Sequence, residues 1–366
     1  MTARLDGQVV GLPGAAGPVG GALLVEGGRV VAFHEGPAPP RLLLPGFVDL
    51  HVHGGGGADV MDGPEGLRAV AAFHLRRGTT ALCPTTVTRP LDELRAFVAA
   101  AGALAPDAPG AARLLGVHLE GPFIDEARRG AQPPFTRPVD LAELAALVGA
   151  GPVAAVTLAP ELPGAVEAVR WLAARGVRVS LGHSSCTYAQ AREAFAAGAG
   201  GVTHLFNAMS GLDHKRPGLA AAALEAEGAV LELILDGHHV HPALARLALR
   251  AARGRLALVT DAIRAAGLGD GESELGGQRV VVRDGRAALD DGTLAGSVLT
   301  LDRALRLAVD LGLTVAEASL LLSRNPADAL GRADLGRLTP GARADVVAVE
   351  PETLAVEQVW VAGVEA

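Results

Sequence analysis

His51-Val52-His53 is the first pattern in the chain that could do chemistry. Side chains alternate along a strand, so both imidazoles of H-x-H face the same way. Such a pair near a strand end makes a pincer for a divalent ion. Two polar residues at the wet end of a strand would look the same, and H-x-H alone does not decide. Glu120 ends the apolar run in HLEGP, directly before Gly-Pro, where ordinary surface solvation is poor. Taken alone it reads more simply as a cap or loop charge. His118, two residues earlier, shares its face and fits a supporting role. His183 and His204 are separated by one helix and one strand. They would therefore sit on neighbouring strand ends and can converge. Each by itself is more simply a hydrogen-bonded buried histidine, but four histidines and one glutamate on one rim strain that reading. Zn2+ or Fe2+ suits such a His/carboxylate set. Asp261 ends the run LVTDA. It could cap whatever follows. Beside an ion that brings the pKa of water to about 7, it could instead take the proton of that water and return it to a leaving nitrogen.

A second group follows. Asn207-Ala208, His214-Lys215-Arg216 and His238-His239-Val240-His241 fall after the sixth and seventh apolar runs. A basic set beside a metal suggests an anionic substrate group such as phosphate, against the plainer reading of a solvated loop. Lys215 is the only lysine, alongside 31 arginines (32 basic residues less one). Cys83 and Cys186 read as packing residues. Ser184 and Ser185 lie outside any G-x-S-x-G setting, which argues against a serine hydrolase.

The elements that must position these residues alternate regularly. Apolar runs at 47–53, 79–86, 113–121, 153–160, 177–184, 201–209, 230–237 and 256–262 are separated by Ala-rich helical stretches, such as 64–78 and 187–198. Apolar, non-alternating strands between helices indicate a parallel sheet buried on both faces. Eight such units over roughly 250 residues is the (β/α)8 count; an open doubly wound sheet is the rival. The polar residues gather at the C-terminal ends of the runs, where both folds bind ligands. A Gly-rich segment at 276–296 reads as hairpins with turns at Asp284-Gly285 and Asp291-Gly292. Two helices are expected at 300–311 and 314–323. The β-rich ends, 1–44 and 336–366, are each too small alone. They are expected to combine into a small β-sandwich beside a barrel spanning 45–335.

The 366 residues carry a formal net charge of -8, which excludes a uniform basic footprint for nucleic acid. There is no apolar stretch of about 18 residues for a membrane span and no signal-peptide core at the start. Two cysteines cannot form a disulfide framework. A cytoplasmic protein is expected.

Several stretches together resemble the amidohydrolase superfamily and, within it, the N-acetylglucosamine-6-phosphate deacetylases. They are PGFVDLHVHG, GVHLEGPF, LGHSSCTYAQA, VTHLFNAMSGLDHKRPGL, LILDGHHVHP, LVTDAI, DGTLAGSVLTLD and the tail from SRNPADALGR, running in order from about residue 45 to 349. LEGPF, THLFNAM and TLAGS are the specific ones. The resemblance implies metal-assisted deacetylation of an N-acetyl-D-glucosamine 6-phosphate, a barrel with a small β-sandwich, and a homodimer. It implies a principal ion on Glu120, His183 and His204, with Asp261 as general base and acid. Substrate contacts would come from Asn207, Ala208 and Leu294-Ala295-Gly296, and phosphate contacts from Lys215 and His239. Because His51 and His53 are kept, capacity for two ions bridged by Glu120 is expected; Zn2+ leads, with Fe2+, Co2+ or Mn2+ tolerated. A carboxylated lysine bridge is impossible here, since Lys215 lies in a loop. Two positions depart from the family: Lys215 stands where Arg is usual, and Gln132 where a His is thought to polarise the acetyl carbonyl. Gln132 keeps a hydrogen-bond donor but no charge. The alternatives are deacetylation of N-acetylgalactosamine 6-phosphate or another N-acyl compound, and a non-catalytic scaffold of the same superfamily.

Overall fold

The computed structural model describes residues 2–252 and 254–366. Its centre is a parallel α/β arrangement. Strands Val117–Glu120, Val153–Leu158, Arg178–Leu181, Gly201–Val202, Val230–Ile234 and Leu256–Val259 pair in chain order, all parallel. Phe47–Val52 and Thr79–Pro84 pair in parallel, and Arg113–Leu114 extends that sheet. Isolated parallel bridges, Thr85 to His118 and Val52 to Ala262, join the two sheets at both edges. The parallel sheet therefore curls until its first and last strands meet. Nearly all its residues are buried, as expected of strands covered on both faces.

The apolar runs shrink to shorter strands than their sequences suggest. The run 201–209 yields only Gly201–Val202, and 177–184 only Arg178–Leu181. In each case the chain leaves the ladder to turn a polar side chain inward. The helices start where their caps dictate. Thr187 and Gln190 form a reciprocal capping box on Tyr188–Ala196, and Thr314 and Glu317 do the same on Val315–Leu322. Helices Leu301–Asp310 and Val315–Leu322 match expectation, and a further short helix, Arg324–Ala329, follows them.

The chain ends share one seven-stranded sheet. Thr2–Val9, Val19–Glu26, Arg29–Glu35 and Leu42–Pro45 come from the start, and Val346–Val349, Val356–Val361 and Val364–Glu365 from the end. Strand alternation gives it two apolar faces. Leu42, Leu44, Val347 and Val349 join the main core, whereas Leu43, Val346 and Ala348 join a separate cluster with Leu5, Leu23 and Trp360. The hairpin segment begins earlier than the sequence suggests, as an antiparallel sheet of Gly271–Leu275, Gln278–Arg283 and Arg286–Ala288. Its Asp284-Gly285 turn has φ of 51° and 73°, the left-handed pair a two-residue hairpin needs.

Candidate metal centre

Three chemistry-bearing residues occupy equivalent places. His183, His204 and Asp261 each lie two residues beyond the end of a parallel strand. Each has a left-handed backbone, with φ of 47°, 34° and 49°. A non-glycine residue there costs on the order of 1–3 kcal/mol and persists only where its surroundings hold it. The holding bonds are visible. The His183 carbonyl accepts from Asp125 N at 2.9 Å, and Asp261 N donates to the His51 carbonyl at 2.9 Å. The Asp261 carbonyl accepts from Ser297 N at 2.7 Å. Strands one and eight are tied further by buried Asp49, which accepts from Thr260 Oγ1 at 2.7 Å. Burial pushes the Asp49 carboxyl up to about 7.

The result is a centre in two halves joined by Glu120. Glu120 Oε1 lies 3.0 Å from His183 Nε2 and 3.1 Å from His204 Nε2. Glu120 Oε2 lies 3.4 Å from His51 Nε2 and 3.3 Å from His53 Nε2. Asp261 Oδ1 joins the second half, 3.1 Å from His53 Nε2 and 3.5 Å from His51 Nε2. Among the described residues, Glu120 with His183 and His204, and His51 with His53 and Asp261, are the groups that could hold an ion. Asp261, read from the sequence as a base, is thus also a third donor of the second half.

The donor chemistry fits a divalent ion. His53 Nδ1 faces the Thr85 carbonyl at 3.0 Å, and His183 Nδ1 faces the Arg128 carbonyl at 2.9 Å. A carbonyl only accepts, so each Nδ1 carries the proton and each Nε2 presents a lone pair inward. Yet the Nε2 atoms of His51 and His53 are 3.1 Å apart, as are those of His183 and His204. Where both facing nitrogens carry lone pairs they repel at that distance, and a cation between them removes the conflict. Without one, protons take the same role. Burial pushes the His53 imidazole down, but Asp261 and Glu120 outweigh it and bring it up to about 9. Glu120 is held well below the usual carboxylate range: burial opposes its charge, and His51, His183 and His204 overcome that. Protons and metal therefore compete for one set of nitrogens.

Above the centre lies a cavity of about 340 Å3. His53, Glu120, Gln132, His183, His204, Asn207, Ala208, His239, Asp261, Leu294 and Gly296 line it. His51 is buried beneath, with no exposed surface, and Ala295 is likewise buried. Lys215 is not among the lining residues; it sits on an exposed loop whose backbone is capped by the Asp213 carboxylate, which accepts from Lys215 N at 2.8 Å. Asn207 Nδ2 donates to the His204 carbonyl at 3.2 Å. His239 Nδ1 donates to Asp236 Oδ2 at 2.7 Å. Gln132 is more engaged than its sequence suggests. Its Nε2 donates to Glu120 Oε2, and its Oε1 accepts from Thr88 N at 2.7 Å. One amide N–H is left for a ligand.

His118 is a hydrogen-bonded core residue packed under His51 and donates to no carboxylate among the described residues. Its Nδ1 donates to the Leu50 carbonyl at 3.1 Å, and its Nε2 accepts from Thr157 Oγ1 at 2.7 Å. Its ring packs edge-on against His51, and burial pushes its pKa down to about 4, so it stays neutral. Two residues were missed. Arg128 lines the cavity, and its backbone carbonyl orients His183. Glu232, 1% exposed, points its carboxylate at His51 Nδ1 at 3.4 Å. The signal for Glu232 was present: it is the one charge inside the apolar run VLELI. Arg128 carried none, because its main chain does the positioning.

A sequence model of the Amidohydrolase family matches residues 42–365. An N-acetylgalactosamine-6-phosphate deacetylase of Escherichia coli O157:H7 is 44% identical over 329 residues, covering 88% of this chain and 87% of the relative. An N-acetylglucosamine-6-phosphate deacetylase of Vibrio furnissii is 40% identical over 333 residues, covering 89% and 83%. Among solved structures, a mutant N-acetyl-D-glucosamine-6-phosphate deacetylase from Mycobacterium smegmatis, in complex with N-acetyl-D-glucosamine-6-phosphate, superposes with a TM-score of 0.93. It is 35% identical, and the match covers 100% of this chain and 99% of that one. With the model spanning most of its length and its donors converging as that chemistry requires, the chain belongs to the Amidohydrolase family.

Proposed function

We propose that this protein removes the acetyl group of N-acetyl-D-glucosamine 6-phosphate, releasing D-glucosamine 6-phosphate and acetate. The observation that carries the reading is the pair of His/carboxylate groups sharing Glu120 at the floor of a cavity beside Asp261. Glu120, His183 and His204 would hold one divalent ion, and His51, His53 and Asp261, with Glu120 Oε2, a second. Zn2+ suits these nitrogen and oxygen donors best, with Fe2+, Co2+ or Mn2+ tolerated. A bound ion supplies Lewis acidity toward the acetyl carbonyl and acidifies water.

The chain's own residues do the rest. Asp261 accepts a proton from the attacking water and later delivers it to the departing amine nitrogen. Gln132 offers its free amide N–H to the developing oxyanion. Asn207, the backbone at Ala208, and Leu294-Ala295-Gly296 hold the sugar. Lys215 and His239 take the phosphate and so orient the acetamide. Lys215 serves this role by its charge, from a loop outside the cavity wall.

A second reading has its own support. The E. coli relative named for N-acetylgalactosamine 6-phosphate is the more identical of the two described. Acetate release from both epimers, with and without chelator, tests the proposal. We expect chelator-sensitive release with a higher kcat/KM on the gluco epimer. Preference for the galacto epimer would transfer the activity to the second reading, and release that ignores chelation would overturn both.

The architecture we infer is a (β/α)8 barrel over 45–335 with a small β-sandwich from 1–44 and 336–366. The closing bridges and the shared terminal sheet support it. A homodimer in the cytoplasm completes the proposal. Both cysteines are free and buried, which suits a reducing compartment. No helix among the described residues is long and apolar enough to cross a membrane.

A further inference from the structure

The four inward-facing imidazoles are not backed alike. His53 and His183 lean on main-chain carbonyls, and His204 Nδ1 is buried with no partner. Only His51 has a carboxylate behind it, that of Glu232 on strand Val230–Ile234. Glu232 is 1% exposed, and among the described residues no lysine or arginine forms an ion pair with it; its one side-chain partner is His51. The buried guanidinium of Arg178 also acts on this carboxylate electrostatically, but the side chain at hydrogen-bond distance from it is that of His51, and a buried charge is costly unless it is paired.

We propose that Glu232 is a positioning residue that equips the His51–His53 half of the centre to hold its own divalent ion. The inference rests on the two-ion reading above. A carboxylate accepting the Nδ1 proton fixes the tautomer, aims Nε2 at the ion and raises the basicity of the ring. A carbonyl, as behind His53, supplies orientation but no net charge. Glu232 thus adds a negative charge to the half built from His51, His53 and Asp261. It acts less directly on the half built from Glu120, His183 and His204, since among the described residues neither histidine of that half shares a hydrogen bond or ion pair with the Glu232 side chain.

The test is metal binding, independent of turnover. Metal-stripped wild type, E232Q and H51A are titrated with Zn2+ by calorimetry and with Co2+ by visible absorbance. Bound metal is counted by atomic emission, and folding is checked by thermal melts of the metal-free proteins. Wild type should take up two equivalents. E232Q should bind the first equivalent with unchanged Kd and the second about 10- to 100-fold more weakly. H51A should lose that same second equivalent. Should the amide variant not fold, E232M fills the same volume without charge and makes the same comparison. Wild-type Kd values for both equivalents in E232Q would overturn the proposal while leaving two ions in place. Equal weakening of both would reduce Glu232 to general structure and also overturn it. A wild type that takes up a single equivalent would overturn the two-ion reading itself.

Discussion

Gly296 links the segment expected to touch substrate to the residue expected to move the proton. Its φ is +56°, and a Cβ there would lie 2.8 Å from the Asp261 carbonyl oxygen and 2.6 Å from Ile263 Cγ2. Gly296→Ala therefore meets two costs. The left-handed backbone is worth about 1–2 kcal/mol for an L-residue. Overpacking against a main-chain oxygen and a buried methyl adds about 1–3 kcal/mol. The total is roughly 2–5 kcal/mol. Gly331 separates the terms, because its φ is +67° and nothing lies within 4 Å of its would-be Cβ. Gly331→Ala should show the backbone cost alone. The Gly296 clash relaxes only if Asp261 gives way, and its carboxylate stands 3.1 Å from His53 Nε2. A misplacement of about 1 Å costs on the order of 100-fold, so a shift of about 0.3 Å should lower kcat roughly fourfold. Urea denaturation of both variants at one fixed metal concentration, with acetate-release kinetics, makes the comparison. The reasoning fails if G296A is no less stable than G331A and turns over like wild type.

Three further outcomes follow from the site. Asp261→Asn should retain the ion of the Glu120–His183–His204 group and lower kcat by roughly 10²- to 10⁴-fold, the scale of general acid–base catalysis; near-normal turnover with metal present would remove Asp261 from its role. Lys215→Ala should cut kcat/KM on the phosphorylated sugar up to about fivefold, the upper end for an exposed charge pair, and barely change it on unphosphorylated N-acetylglucosamine; equal losses on both would end the phosphate assignment. His239 predicts a pH limb. Burial pushes its imidazole down, but the hydrogen bond and charge of Asp236 outweigh that and hold it above its ordinary value. Its positive charge is therefore held to a higher pH than that of an ordinary imidazole and is lost as pH rises through that raised value. The phosphate becomes dianionic above about pH 6. KM for the phosphorylated sugar should be lowest between these points and climb on the alkaline side. The climb should be absent in His239→Asn, and its persistence there would contradict the assignment.

How much of this was legible depends on which part of a residue does the work. The convergence of His51, His53, Glu120, His183, His204 and Asp261 was readable because each is an ionisable side chain at the end of an apolar run. The strand count was readable for a related reason: strands covered on both faces stay apolar throughout. What the main chain does left almost no trace. The carbonyls of Thr85 and Arg128 fix two imidazoles, and any residue offers a carbonyl. The left-handed turns at His183, His204 and Asp261 carry no glycine to mark them, since the side chains needed there rule glycine out. The runs at 177–184 and 201–209 were consequently read as longer strands than they are.

Glu232 and Gln132 show the intermediate case, in which a side chain acts on another side chain. Glu232 was visible as a lone charge in VLELI, but nothing in the run says which imidazole it faces; that needs the curl that brings the seventh strand behind the first. Gln132 was singled out in the sequence as a hydrogen-bond donor without charge, and it lines the cavity. The structure adds that the same amide braces Glu120, the one group both halves share. A histidine has one N–H per ring nitrogen and no second donor on the same atom, so it cannot brace Glu120 and face a substrate through one nitrogen as Gln132 can. Through one nitrogen, Gln132 thus reaches the group both halves share and keeps a second donor on the cavity wall.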